Sequence, residues 1–159
     1  VTPGLAITPD RPATPGGAVS RMYGLTDGGI APISAHDFSY SWGGGGLAAT
    51  PEAIARFGSR VMASEVVAKA TFDWMLQPAR LADGRDADGE RIAHHAGVTD
   101  GARSALVLWP RHRLSASVLS NTLWVSSIEQ TAVMLAAPFR ARPPATSTRP
   151  CPVDAARYE

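Results

Sequence analysis

The chain contains a single cysteine, Cys151, set between two prolines, so it can form neither an internal disulfide nor a cysteine-based metal centre. Lys69 is its only lysine. It lacks a run of about 18 apolar residues, the least that spans a bilayer as a helix, so no membrane segment is read. It also does not open on the positively charged, apolar, small-residue pattern of a signal peptide. The formal net charge is only +1 and no dense basic stripe is present, so nothing supplies the phosphate neutralisation that a nucleic-acid partner needs. Neither a Gly-x-x-x-x-Gly-Lys phosphate loop nor a Gly-x-Ser-x-Gly nucleophile elbow occurs. His94 and His95 could be combined on paper with His36, His112 or Asp100, but adjacent strand residues point to opposite faces. No metal site and no cofactor is expected.

What the chain does have is the composition of a globular protein, with 45% apolar and 18% charged residues over 159 positions, enough for one ordinary domain. The ends differ from the middle. Residues 1–20 and 139–159 hold most of the prolines and few large apolar side chains, too few to repay the entropy of ordering. They read as loop or disordered sequence and as a proline-rich tail, leaving 21–138 as the folded part.

Within that part, Ala18 to Trp42 reads as irregular, with one short strand at most. Gly43 to Gly46 form a four-glycine run, a tight passage before a helix. Thr50-Pro51-Glu52 is a strong helix start: a hydroxyl cap, proline at the first position and an acid in the first turn. Ile54, Phe57, Val61 and Met62 then share one face of a helix over 51–62. A second helix is expected over about 64–76, burying Val67, Phe72, Met75 and Leu76 and stopped by Pro78. Residues 79–90 are turn-rich, with Asp86-Ala87-Asp88-Gly89 as a hairpin turn or short loop. Three strands follow, near 91–96, 103–109 and 113–120, the last alternating Leu114, Ala116 and Val118 with Ser115 and Ser117. Ser127 and Gln130 have the spacing of a capping box for a helix to about Ala137, ended by Pro138. Trp42, Trp74, Trp109 and Trp124 read as core or loop anchors. The fold class is therefore α+β, an antiparallel three-stranded meander packed with helices including a C-terminal one.

The stretch from Gly44-Gly45-Gly46-Leu47-Ala48-Ala49-Thr50 through Ala55-Arg56-Phe57, His95-Ala96-Gly97 and Gly101 to Leu119-Ser120-Asn121 resembles the C-terminal part of the serine β-lactamase and penicillin-binding-protein family. The resemblance spans roughly 20–138 and implies a partial β-lactamase-like fold. It further implies that His95-Ala96-Gly97 stands for the family's Lys/His-Ser/Thr-Gly triplet. His95 would then line the cleft as a catalytic group. Ala96 and Gly97 would contact substrate, glycine leaving room along the strand edge, and the backbone N–H of Val98 would stabilise an oxyanion. Ala96 departs from the family, which has a hydroxyl residue there.

Two further family motifs, Ser-x-x-Lys and a Tyr- or Ser-led triplet ending in Asn, are absent. Lys69 has Val66, not serine, three residues before it, so the chain contains no nucleophile of this type. The Tyr-Gly-Leu-Gly-Trp-like strand that usually precedes the triplet is also missing from 79–90. The resemblance thus implies a segment of an acyl-transfer hydrolase for β-lactam, peptide or ester substrates, inactive by itself, with a bacterial periplasmic or secreted location. Its partners would be a small-molecule or peptide substrate in the intact protein, and, at the unpaired edge of strand 113–120, either a second copy or the missing N-terminal half. A non-catalytic structural or binding module derived from that fold is the alternative.

Overall fold

The computed structural model describes residues 5–7, 20–34, 40, 44–77, 89–125 and 127–140. The expectations for His36, Trp42, Gly43, Pro78, Asp86 to Asp88 and Cys151 lie outside these residues. The elements are β1 (Leu5–Ile7), β2 (Tyr23–Thr26), β3 (Gly29–Pro32), β4 (Leu47–Ala49), α1 (Pro51–Met62), α2 (Lys69–Met75), β5 (Ala93–Thr99), β6 (Ala102–Trp109), β7 (Leu114–Ser120) and α3 (Ile128–Arg140). The mixture of helices with an antiparallel sheet is that of an α+β fold.

The sheet β5-β6-β7 is a simple meander, with β6 in the centre. Registers such as Ala96↔Ala105 and Ala105↔Val118 put cross-strand partners on a common face. On one face, Ile92, Ala105, Val107 and Trp109 pack against Ile128, Ala132 and Ala136 of α3, flanked by Leu114, Ala116 and Val118. On the other, Leu106 and Leu108 meet Phe57 and Val61 of α1 and Phe72 of α2. Being covered on both sides, β6 is apolar at nearly every position from Ala105 to Trp109 instead of alternating. The alternation of β7 is real from Leu114 to Val118: Leu114, Ala116 and Val118 face α3 while Ser115 turns toward α1.

Helix α1 spans the expected residues. Thr50 has extended backbone (φ −81°, ψ 155°), and its hydroxyl accepts from Ala53 N–H at 3.1 Å. Its close approach to the sheet depends on Gly58, where a Cβ would come within 2.4 Å of Ser115 Oγ and 2.5 Å of Leu108 Cδ2. The second helix is shorter than its sequence pattern, because Ser64 turns left-handed (φ 63°) to close α1 and Glu65 bends back onto Arg60. Phe72 is buried as expected, but Met75 points to solvent.

Four further departures are seen. The region 18–42 contains a full hairpin, β2–β3, turned by Asp27-Gly28 with Gly29 at φ 106°. Leu5–Ile7, within the stretch read as loop, pairs with β4. Helix α3 runs through Pro138 to Arg140, past the expected boundary at 138. Proline removes one backbone donor but does not end a helix whose last residue is held from elsewhere, as Arg140 is by Glu90 at 2.9 Å. Nor does the capping box form. Ser127 is left-handed (φ 43°), not extended, and contributes its carbonyl, which accepts from Thr131 N–H at 3.1 Å.

Candidate functional site

The four residues singled out by sequence lie together on β5, an outer strand of the sheet. Expected near a strand end, they are instead inside one. Pairing continues through Val98↔Arg103 and Thr99↔Ala102 until Asp100-Gly101 reverses the chain, Gly101 taking φ 77°. Pleating divides them. His95 and Gly97 share the α1 side with Leu106 and Ser104, whereas Ala96 and Val98 share the α3 side with Ala105 and Arg103. His95 is exposed, Ala96 and Gly97 are half-buried, and Val98 is 64% exposed.

Gly97 has a steric reason that composition does not reveal. A Cβ there would fall 2.5 Å from Ser104 Oγ on the neighbouring strand, so glycine makes room for that hydroxyl. Ser104 therefore places an oxygen beside Gly97 on the same face as His95, a contribution visible only once the register is known. Because the side chain of Ala96 belongs to the other face, its contribution on the His95 side is limited to backbone.

The hairpin β2–β3 is fastened near this end of the sheet. Tyr23 N–H donates to the Asn121 carbonyl at 3.0 Å, and Asn121 Nδ2 donates to the Arg21 carbonyl at 2.9 Å. Met22 and Ile33 press on Gly101, where a Cβ would approach Ile33 Cδ1 to 2.3 Å. Asn121 is thus a clip between the end of β7 and the segment before β2.

No described group is arranged as an activated serine. Lys69 forms an exposed ion pair with Asp73, one turn further along α2. Among the described residues there is also no group of three metal-ligating side chains.

A second polar constellation, which sequence reasoning did not find, occupies the opposite end of the sheet. Glu90 Oε2 accepts from Arg140 Nη2 at 2.9 Å and lies 3.0 Å from His112 Nε2. The Arg140 guanidinium also stacks over Trp109, 5.9 Å from the ring centroid. Residues 90, 112 and 140 come from the approach to β5, the β6–β7 turn and the end of α3, so no local spacing announces them.

No protein-family model matches the chain, and no curated protein matches it.

Proposed function

We propose that this chain is the C-terminal segment of a β-lactamase-like serine hydrolase, whose intact form acylates a serine and hydrolyses a β-lactam, peptide or ester. The observation that carries the reading is the outer strand β5, which presents His95 and Gly97 on one face beside the Ser104 hydroxyl, with its outer flank unpaired among the described strands. An extended substrate laid along that flank meets an imidazole, the Ser104 hydroxyl seated against Gly97, and backbone N–H groups including that of Val98. These are the elements that bind an acyl group and stabilise its oxyanion. The serine and its lysine come from elsewhere in the intact protein. So does the strand that covers the outer edge of β7, which has no partner along its length among the described strands.

Ala96 favours the second reading, a non-catalytic binding or structural module of the same ancestry, because it removes the hydroxyl expected of the triplet. Reading frame and kinetics separate the two. The hydrolase reading requires Ser-x-x-Lys and Tyr-x-Asn encoded upstream. In that longer protein, His95→Ala lowers turnover of nitrocefin or a p-nitrophenyl ester by about 10²-fold or more. Unchanged kinetics would remove His95 from the mechanism, and a frame without either motif would leave the module reading in its place.

A further inference from the structure

Beyond the β5 face, at the far end of the sheet, lies a cavity of about 610 Å³ lined by Leu76, Glu90, Arg91, Pro110, Arg111 and Arg140. Three arginines and one glutamate are among its lining residues. Arg140 is fixed in place by Glu90 and by the Trp109 ring, with only 14% of its side chain exposed. Among the described residues, neither Arg91 nor Arg111 has a hydrogen-bond or ion-pair partner, and both are exposed. A guanidinium carries a planar fork of donors matched to phosphate or carboxylate oxygens, and here two such forks have no acceptor among the described residues. The wall is not wholly polar, since Leu76 at the end of α2 and Pro110 at the β6–β7 turn offer apolar surface beside the arginines.

A second, smaller cleft provides a contrast. It measures about 240 Å³ and is also arginine-rich, with Arg56, Arg60 and Arg113. There, however, Glu52 takes Arg56 and Glu65 takes Arg60, so two of its three arginines are already engaged and the Arg113 guanidinium alone has no partner among the described residues. Of these two, the larger cavity joins two unengaged guanidiniums to an immobilised one, whereas the smaller cleft has a single unengaged one.

We infer that this cavity binds a small organic oxyanion, a phosphate ester or a carboxylate with a compact apolar body, held by Arg91 and Arg111 with Arg140 as the fixed floor. The site is separate from the β5 face, and the inference does not depend on the hydrolase reading. Sulfate-free titration of the full chain with phenyl phosphate and with inorganic phosphate, at matched ionic strength and followed by calorimetry and arginine side-chain NMR, tests it. Phenyl phosphate is expected to bind more tightly than inorganic phosphate and to perturb the Nε–H signals of Arg91, Arg111 and Arg140. Arg91→Gln and Arg111→Gln each weaken it about tenfold, corresponding to one lost charge-assisted contact. Arg56→Gln, in the smaller cleft, leaves it unchanged. Both tested arginines are exposed, so these variants keep the fold. Heat and shifts no larger than those of matched sodium chloride, or affinity indifferent to both substitutions, would overturn the site. Equal affinity for the two probes would overturn its assignment to an organic anion.

Discussion

Gly58 stands inside a helix, where glycine costs roughly 0.5–1 kcal/mol relative to alanine. It is tolerated because a methyl group there would meet Ser115 Oγ and Leu108 Cδ2 at 2.4 and 2.5 Å. Overpacking therefore outweighs the gain in helix propensity, and Gly58→Ala is expected to destabilise the protein by about 1–3 kcal/mol in urea unfolding. A neutral or stabilising result would mean that α1 can lift from the sheet at little cost. At Gly97 the obstacle is one hydroxyl, that of Ser104 at 2.5 Å, which makes the cost removable. Gly97→Ala is expected to cost about 1 kcal/mol alone and clearly less in a Ser104→Ala background, the coupling expected of side chains in contact. A double-mutant cycle that closes with no coupling energy would separate the two residues. Thr50 was legible from sequence because a cap is a local bond: Thr50→Ala is expected to lower stability by about 1 kcal/mol. The reasons for Gly58 and Gly97 were not legible, because the atoms that exclude a side chain come from other strands.

At the scale of elements, α1 could be bounded from Thr50-Pro51-Glu52 and its apolar spacing, and the three strands of the meander could be ordered from alternation and turns. The errors fall where an element borrows its limits from a neighbour. Helix α3 passes Pro138 because Arg140 is held by Glu90 and Trp109, neither of which is near in sequence. Arg140→Ala is expected to destabilise by about 1.5–3 kcal/mol, since it strips a largely buried carboxylate of a charged donor. It should also speed amide exchange in the last turn of α3 before that of β6. Equal exchange throughout α3 would show that the helix end does not depend on this anchor. Strand β5 likewise runs three residues beyond its expected end because Asp100-Gly101 is a two-residue turn, with glycine accepting φ 77°. That extension sets His95, Ala96, Gly97 and Val98 in alternation along one strand, and so splits a set of residues that sequence reading treated as one.

At the scale of the whole molecule, the described residues form a sheet with α3 on one face and α1 and α2 on the other, with the candidate residues along the outer strand β5 and the Glu90, His112 and Arg140 constellation at one end. The purified chain is expected to show no hydrolysis of nitrocefin or p-nitrophenyl esters and no labelling by a fluorophosphonate probe, since Lys69 is engaged with Asp73 and is preceded by no suitably spaced serine. Stoichiometric labelling of any serine in the chain would contradict the absence of a nucleophile on which the proposed function rests. By itself the sequence determined whatever depends on neighbours along the chain: the α+β class, helix α1 with its cap, the apolar face of β7, and the lack of a cysteine or Ser-x-x-Lys chemistry. Only the tertiary structure decided which face His95 shares, why positions 58 and 97 are glycine, and that Glu90, His112 and Arg140 meet. These depend on strand register and layer packing, which bring together residues too far apart in the chain for any periodicity to relate them.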